Sequence, residues 1–247
     1  MTNCIAIIGA LKDEIDGIRR EIDLKAKMTL NSFLYYQGRY QDREIILALS
    51  GMGEKNAREA TKVLLDHFNP VSLISIGISG AVDSRLKVGD LVIGRRVLVQ
   101  NSPQIAAVSL DRLVELASVA CRRLQLTPYL GDLITVSRVI GSSEEKKAIF
   151  LDTRALAVEM ETAFIGLEAA QKGCPFLALR SISDIADYTF KVEVNQITDN
   201  GELNPAKFIK YTLRHPMALW ELGKMKKNIR KATTRLTLLV QELLPMI

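Results

Sequence analysis

The chain has 247 residues, 48% of them hydrophobic, which is enough for one large α/β domain with a substantial core. Its three cysteines are scattered and odd in number, which argues against a disulfide framework and favours a reducing cytoplasm. No stretch approaches the length of a transmembrane helix. The first apolar run, Cys4–Leu11, has no basic region before it, so it predicts a strand rather than a signal peptide.

The N-terminal third of the sequence predicts a first strand, a helix, an antiparallel pair of strands and a second helix. The first helix begins with acidic residues, which the helix dipole favours at that end. A glycine turn, Gly51-Met52-Gly53, precedes the second helix and can bring backbone close to a ligand. The predicted ranges are Ile5–Ala10, Asp13–Ile22, Ser32–Gln37 with Glu44–Leu49, and Lys55–Phe68.

The middle of the chain predicts a buried strand that runs into a second glycine turn. Val71–Ile76 is continuously apolar apart from its serines, as in a strand covered on both faces, and Gly77–Val82 follows it directly. Glycines at the end of a strand allow backbone to approach a ligand. Further strands and helices are predicted at Leu86–Gly94, Leu110–Leu124, Gly131–Val139 and Ser143–Phe150.

The stretch Arg154–Asp187 is the richest in unexplained charge. A strand over Ala155–Met160, a helix over Thr162–Lys172 and an apolar strand over Phe176–Ile182 predict a βαβ unit with parallel strands. Ligands bind at the carboxyl ends of strands in open α/β sheets, and polar residues lie at both ends here. This part of the chain is therefore the predicted functional site.

The charges in this stretch do not balance. Arg180 is expected to pair with Glu159 or Glu161, because a charge in apolar surroundings is costly unless paired. One alternative is a buried ion pair with no further role. One arginine cannot neutralise Asp184 and both glutamates, however, and this surplus of carboxylates favours a site that does chemistry.

The C-terminal part of the sequence combines a long turn-rich segment with a basic helix. Tyr188 and Phe190 would either close over a ligand or pack beneath that segment. Apolar residues at spacings of three and four predict a long helix within Pro205–Ile247, packed on its own domain with a solvated basic face. A subunit contact and a weak contact with an anionic membrane surface remain alternatives. The predicted organisation is a domain over 1–204 with a helical extension over 205–247.

Several motifs carry a resemblance to a known family. AVEMET and RSISDIAD, with GISGA and KVGDLV before them, resemble the nucleoside phosphorylase/nucleosidase superfamily, above all 5′-methylthioadenosine/S-adenosylhomocysteine nucleosidases. The resemblance covers residues 4–195, while the segment NPAKFIKYTLRHPMALWELGK is similar to the end of hopanoid-associated phosphorylases. The resemblance to the superfamily implies a three-layer α/β/α sandwich with a mixed, mostly parallel sheet. It also implies a homo-oligomer, with a dimer favoured.

The resemblance also implies roles for individual residues. Asp184 resembles the acid that protonates N7 of a purine, Glu161 the carboxylate that grips the ribose hydroxyls, and Glu14 the residue that activates water. Arg180 and Ser183 would orient the acids. Ile78 and Val139 depart from the family pattern, which has a small polar residue and an aromatic there. The other residues implied to bind substrate are Ser79, Gly80, Ile140, Glu159 and Met160.

The implied reaction is hydrolysis of the N-glycosidic bond of a purine nucleoside, with adenine favoured, and without metal or cofactor. Phosphorolysis, with phosphate as co-substrate, remains an alternative, because Arg19, Arg43 or Arg138 would supply positive charge. A non-catalytic nucleoside-binding module is a third possibility, disfavoured because Glu14 and Asp184 are both present. Nucleic-acid binding is not expected, since aromatic residues are not interleaved with the basic tail.

Overall fold

A computed structural model of the chain describes residues 4–102, 104–189, 198–199, 202–203 and 218–247. Within them the strands are β1 Cys4–Gly9, β2 Asp23–Leu30, β3 Phe33–Tyr40, β4 Arg43–Leu49, β5 Ser72–Ala81, β6 Leu91–Val99, β7 Ile105–Val108, β8 Tyr129–Thr135, β9 Ala157–Glu159, β10 Phe176–Asp184, β11 Thr198–Asp199 and β12 Glu202–Leu203. The helices are α1 Lys12–Arg19, α2 Glu54–Phe68, α3 Asp111–Arg123, α4 Ser143–Thr153, α5 Thr162–Gln171 and α6 Ala218–Leu243, with a final 3₁₀ turn at Leu244–Met246.

The main sheet is mixed and partly closed on itself. Its strands follow the order β10-β6-β8-β9-β5-β1-β4-β3-β2, and β10 also pairs with β5, so that β5, β10, β6, β8 and β9 form a ring. The central strands β4, β1, β5 and β10 are mutually parallel. On one side β2, β3 and β4 pair antiparallel in sequence order, and on the other side β6 pairs antiparallel with β10. A ring leaves its member strands no free edge.

The predicted βαβ unit around α5 is wrong in its strand direction. β10 runs parallel to β5, but β9 pairs with the last two residues of β5, Gly80 and Ala81, in the antiparallel direction. The strands before and after α5 therefore run in opposite directions on either side of β5. The ring accounts for this arrangement, because its closure brings the short β9 across the end of the long β5.

Both faces of the sheet are covered, which gives the predicted three-layer sandwich. Along β1, Cys4, Ala6 and Ile8 join an apolar core that includes residues of α2 and α5, whereas Ile5 and Ile7 join a second core with α1, α3 and α6. Alternate residues of a strand point to opposite faces, so this division shows β1 lying between two layers. The predicted fold class is confirmed.

Helix α6 belongs to the second of these cores. Leu236, Leu239, Val240 and Leu243 are fully buried, and α6 packs against α1 and α3. Gly17 of α1 permits a close approach, since a Cβ there would lie 2.2 Å from the hydroxyl oxygen of Thr237. The lysines of α6, at 224, 226, 227 and 231, remain exposed. None of the helices in the described part of the chain combines the length and apolar character needed to cross a membrane.

Candidate active site

Glu14 is anchored where the first strand turns into the first helix. Its Oε2 accepts hydrogen bonds from the backbone N–H groups of Ala10, at 2.8 Å, and Leu11, at 2.9 Å. Its Oε1 accepts from the N–H of Ile78, at 2.9 Å, in the glycine turn within β5. Burial raises the pKa of Glu14, although these N–H groups and the positive charge of Arg180 oppose the rise. A buried carboxylate of this kind is a fixed proton acceptor.

The glycine turn within β5 is shaped around two carboxylates. A Cβ on Gly77 would lie 3.0 Å from Oε1 of Glu14, and a Cβ on Gly80 would lie 2.9 Å from Oδ2 of Asp184. Only glycine leaves both acids where they are. Ile78 and Ser79 lie between these glycines, and the Ser79 carbonyl lies 3.2 Å from the Ser183 hydroxyl, whose single hydrogen has a nearer acceptor in Oδ1 of Asp184, at 2.7 Å.

Arg180 occupies the middle of β10 and is only 2% exposed. Its Nη1 donates to the carbonyls of Ser75, at 3.0 Å, and Leu179, at 2.7 Å. Its Nη2 donates to the Ser75 hydroxyl, to the Thr162 hydroxyl, and to Oε2 of Glu159 at 3.1 Å. The predicted ion pair is confirmed, with Glu159 as the partner.

Glu159 is held from several sides at the end of β9. Besides Arg180, its Oε2 accepts hydrogen bonds from the backbone N–H groups of Glu161, at 3.0 Å, and Thr162, at 2.7 Å. Its Oε1 accepts from the Thr135 hydroxyl. These bonds engage both carboxylate oxygens and tie Glu159 to Arg180. The predicted contact of these two residues with substrate stays a prediction.

Glu161 is the residue immediately before α5, and its electrostatic environment differs from that of Glu159. Its Oε1 accepts one hydrogen bond, at 2.8 Å, from the N–H of Gly53. Gly53 has φ 85°, a left-handed conformation that favours glycine, and this conformation aims its N–H at the carboxylate. Burial and then the negative charge of Glu159 raise the pKa of Glu161 to about 8. Glu161 is therefore largely neutral at pH 7.

Asp184 ends β10 with a partner on each oxygen. The Ser183 hydroxyl donates to Oδ1 at 2.7 Å, and Nζ of Lys146 lies 2.5 Å from Oδ2. Lys146 belongs to α4 and is completely buried. The burial of Lys146 was not predicted from the sequence, because the run SSEEKKA is typical of a solvated helix end. Its position three residues before the buried Ile149, on the same helix face, was the one available signal.

An apolar wall completes the neighbourhood of these acids. Ile140 is 5% exposed and packs with Val82, Ile134 and Val158, and Met160 lies against the same cluster. Val139, the other residue expected to contact a base, is half-buried at the segment that follows β8. Ile140 and Met160, two of the residues proposed to bind substrate, thus pack in one cluster with residues of β8 and β9.

The start of α6 covers the glycine turn from the other side. Ile78, Ser183 and Asp184 line a small cavity together with Met225 and Ile229 of α6. A larger cavity, of about 450 Å³, lies between the end of β6 and α4, and none of the predicted site residues lines it. We therefore place the candidate site at the smaller cavity, which Asp184 lines.

Of the two aromatic residues predicted to cover the site, only one can be placed. The hydroxyl of Tyr188 donates to Oε1 of Glu221 in α6, at 2.7 Å, and Nζ of Lys224 lies 4.9 Å from the centre of its ring. Tyr188 thus packs beneath α6. Phe190 lies outside the described residues.

Comparisons with known proteins agree with this geometry. A profile described as the phosphorylase superfamily matches residues 4–214. The chain belongs to the phosphorylase superfamily. Its members among curated proteins include 5′-methylthioadenosine/S-adenosylhomocysteine nucleosidases of Staphylococcus aureus. One, from strain JH9, is 31% identical over 74% of this chain and 87% of that protein; another, from strain bovine RF122 / ET3-1, is 28% identical over 83% and 97%.

Solved structures of this superfamily superimpose on nearly the whole chain. The nucleosidase of the same name from Neisseria meningitidis, in complex with methylthio-immucillin-A, matches with a TM-score of 0.80 and 25% identity over 99% of this chain and all of that one. The futalosine hydrolase of Helicobacter pylori matches with a TM-score of 0.75 at 23% identity, over 98% and 99% of the two chains, which supports the fold. The prediction of an enzyme of the nucleosidase or nucleoside phosphorylase type is confirmed.

Proposed function

We propose that this enzyme hydrolyses the N-glycosidic bond of a purine nucleoside, with adenine as the base and 5′-methylthioadenosine or S-adenosylhomocysteine as the first substrates to test. The observation that carries the proposal is the convergence of Glu14, Glu161 and Asp184 on the glycine turns, from three separate elements. The names of the relatives and of the Neisseria structure support the same substrates.

Each carboxylate suits one part of that reaction. Departure of the base leaves a cation-like sugar, which neighbouring carboxylates stabilise, while a proton on N7 makes the base a better leaving group. Glu14, with its raised pKa, would take a proton from the attacking water. Glu161, largely neutral at pH 7, can both donate to and accept from the vicinal hydroxyls of a ribose. Asp184 would carry the proton for N7.

Water suits the site better than phosphate as the acceptor. Arg180, the arginine nearest the acids, spends its donors on Glu159 and on neighbouring protein oxygens. The three arginines considered as phosphate ligands are also engaged elsewhere: Arg19 with Asp16, Arg43 with the Pro245 carbonyl, and Arg138 with Glu145. A phosphate dianion beside Glu14 would meet a carboxylate, while these four arginines of the described part of the chain are engaged with other groups.

The test is base release from a panel of adenine, guanine and uracil nucleosides, with and without inorganic phosphate. We expect release from adenine nucleosides at the same rate in both buffers, with a free ribose sugar as product. A strong requirement for phosphate, with ribose 1-phosphate as product, would move the enzyme to the phosphorylase branch. No release from any nucleoside would overturn the proposed function itself.

A phosphorolytic enzyme for an adenine nucleoside with an apolar 5′ substituent is the second candidate. Two observations favour it: the resemblance of residues 204–224 to hopanoid-associated phosphorylases, and the apolar Met225 and Ile229 beside the site. Residues 204–217 of that segment lie outside the described part of the chain. Substrates with long apolar 5′ groups, assayed with phosphate, separate the two candidates. A homodimer remains a prediction in either case.

A further inference from the structure

Lys146 is a buried charged residue to which the proposed chemistry gives no role. Its side chain is 0% exposed, and its ammonium group donates to Oδ2 of Asp184 at 2.5 Å, to the carbonyl of Ile185 at 3.0 Å, and to the carbonyl of Tyr188 at 3.3 Å. These oxygens belong to the end of β10 and the segment after it. Lys146 therefore connects α4 directly to the residue that would handle the proton on the base.

The contacts of Lys146 are those of an ammonium group. Three oxygen acceptors, one of them a carboxylate, compensate for its loss of water. Of the charged side chains that α6 brings to this corner, Glu221 accepts a hydrogen bond from the Tyr188 hydroxyl and Lys224 lies over the Tyr188 ring. The ammonium of Lys146 is in direct contact with Asp184.

A charged Lys146 determines what Asp184 can bind. An ammonium in contact favours the ionised carboxylate, and the Ser183 hydroxyl, which donates to Oδ1, favours it too. An ionised carboxylate only accepts hydrogen bonds, whereas a protonated one can donate. N7 of a neutral purine is itself an acceptor, so the ionised form pairs well only with a base that already carries a hydrogen on N7.

We propose that Lys146 is a positioning residue whose ion pair holds the Asp184 carboxylate in place, so that the site is complementary to the N7-protonated base formed during bond cleavage. The inference rests on the proposed function. During the reaction a hydrogen ion from solvent reaches N7 through Asp184 as the electrons of the N-glycosidic bond pass to the base, and Asp184 returns to the carboxylate form beside an unchanged Lys146. The attacking water forms the new C–O bond at the sugar carbon, and its proton leaves through Glu14 to solvent, which balances the proton taken up. Binding energy is then realised in the transition state, where it accelerates the reaction.

Two free bases test this without turnover. N7 of 9-methyladenine is an acceptor, because the methyl group fixes the tautomer, whereas N7 of 9-methyl-9-deazaadenine carries a hydrogen. We expect the wild-type enzyme to bind the 9-deaza base at least about tenfold more tightly than 9-methyladenine, the worth of one charge-assisted hydrogen bond. Lys146→Met should abolish most of that preference. Lys147→Met, a matched change at the exposed neighbour in α4, should leave it intact.

The pattern of losses separates positioning from simple support. If Lys146→Met weakens both bases equally, or leaves their ratio unchanged, the proposal is wrong. In turnover, Lys146→Met should lower kcat about tenfold with little change in KM, and should cost nothing further in an Asp184→Asn background, because coupled residues are non-additive. Additive losses would contradict it.

A measurement on wild-type protein covers the case in which Lys146→Met does not fold. The infrared difference spectrum between the wild type and Asp184→Asn should contain a carboxylate stretch from Asp184 at neutral pH. A protonated carboxyl stretch there would overturn the inference. This readout needs no substrate, so it decides whether Asp184 is the carboxylate partner of Lys146 that the inference requires, even if the base-release panel rejects the proposed function.

Discussion

Glu159 and Glu161 are two residues apart and both buried, yet the fold treats them in opposite ways. Glu159 faces Arg180, two backbone N–H groups and the Thr135 hydroxyl, which together compensate its charge. Glu161 receives one N–H, from Gly53, and its pKa rises to about 8. The difference shows how burial at one place in a fold can yield either a rigid ion pair or a carboxyl ready to react.

The same distinction extends to the other acids. Glu14 is held by three backbone N–H groups and Asp184 by Ser183 and Lys146, so neither shares the arginine that neutralises Glu159. Fixed donors position these carboxylates without removing their ability to exchange a proton. The pKa of Glu14 is raised by burial, and carboxyls perturbed in this way are typical of functional sites.

Removing the arginine should have the largest effect. Arg180→Met leaves Glu159 buried without its cation, so we expect a loss of about 3–5 kcal/mol in the free energy of unfolding. Arg96→Met is the matched control, because Arg96 forms an ion pair with Asp132 while its side chain is 54% exposed, and should cost at most about 1 kcal/mol. Urea denaturation measures both. Similar losses in the two variants would show that the Glu159 pair is no more than a surface-type pair.

Removing the proton donor should affect activity rather than stability. Asp184→Asn keeps the shape of the side chain but cannot deliver a proton, so turnover should fall about 10²-fold or more. The enzyme should still fold, which thermal melting would verify. Near-normal turnover in a folded Asp184→Asn enzyme would remove Asp184 from the mechanism.

Changing the carboxyl at Glu161 should affect recognition of the sugar. Glu161→Gln retains a donor and an acceptor but cannot become the carboxylate to which both ribose hydroxyls would donate as the cation-like sugar forms, so ribosides should lose about tenfold more in kcat/KM than the matching 2′-deoxyribosides. Glu54→Gln, at an exposed position in α2, is the control. Equal losses on both sugars would show that Glu161 does not contact the 2′-hydroxyl.

The stability of the same variant should depend on pH. The pKa of Glu161 is about 8 in the folded protein against 4.5 for the ordinary side chain, so between these values the folded state holds a proton that the unfolded state releases. Wild-type stability therefore falls through that window as pH rises. Glu161→Gln removes this loss and should gain on the wild type by about 1.4 kcal/mol for each pH unit between about pH 5 and pH 8. A pH-independent difference would contradict the raised pKa.

Much of the fold could be predicted because hydrophobic pattern determines it. Both-sided apolar runs identify β1, β5 and β10, and the stripe on α6 identifies its buried face. The ring could not be predicted, since β9 is only three residues long and its direction depends on closure with β5. β2 was missed because Asp23–Leu30 is an exposed edge strand whose polar residues hide its pattern.

The site was predictable in part, and for a different reason. Motif resemblance identified Glu14, Glu161 and Asp184, whereas residue types alone could not separate the supporting Glu159 from the perturbed Glu161. That separation depends on where one arginine and one glycine N–H lie in space. Lys146 escaped prediction because its neighbours in sequence are charged, and only the tertiary structure buries it.

The sharing of one core by β1, α1 and α6 has a consequence for synthesis. Residues at 5, 7, 15 and 18 are buried against residues at 236, 239 and 243, the last helix of the sequence. During synthesis the N-terminal strands leave the ribosome long before that helix does. The apolar surface that α6 covers therefore stays exposed until the end of synthesis. We expect a fragment ending before α6 to bind hydrophobic dyes and to occupy chaperones, and the full chain to release both. The fluorescence of such a dye, compared between the fragment and the full chain, would measure the exposed apolar surface.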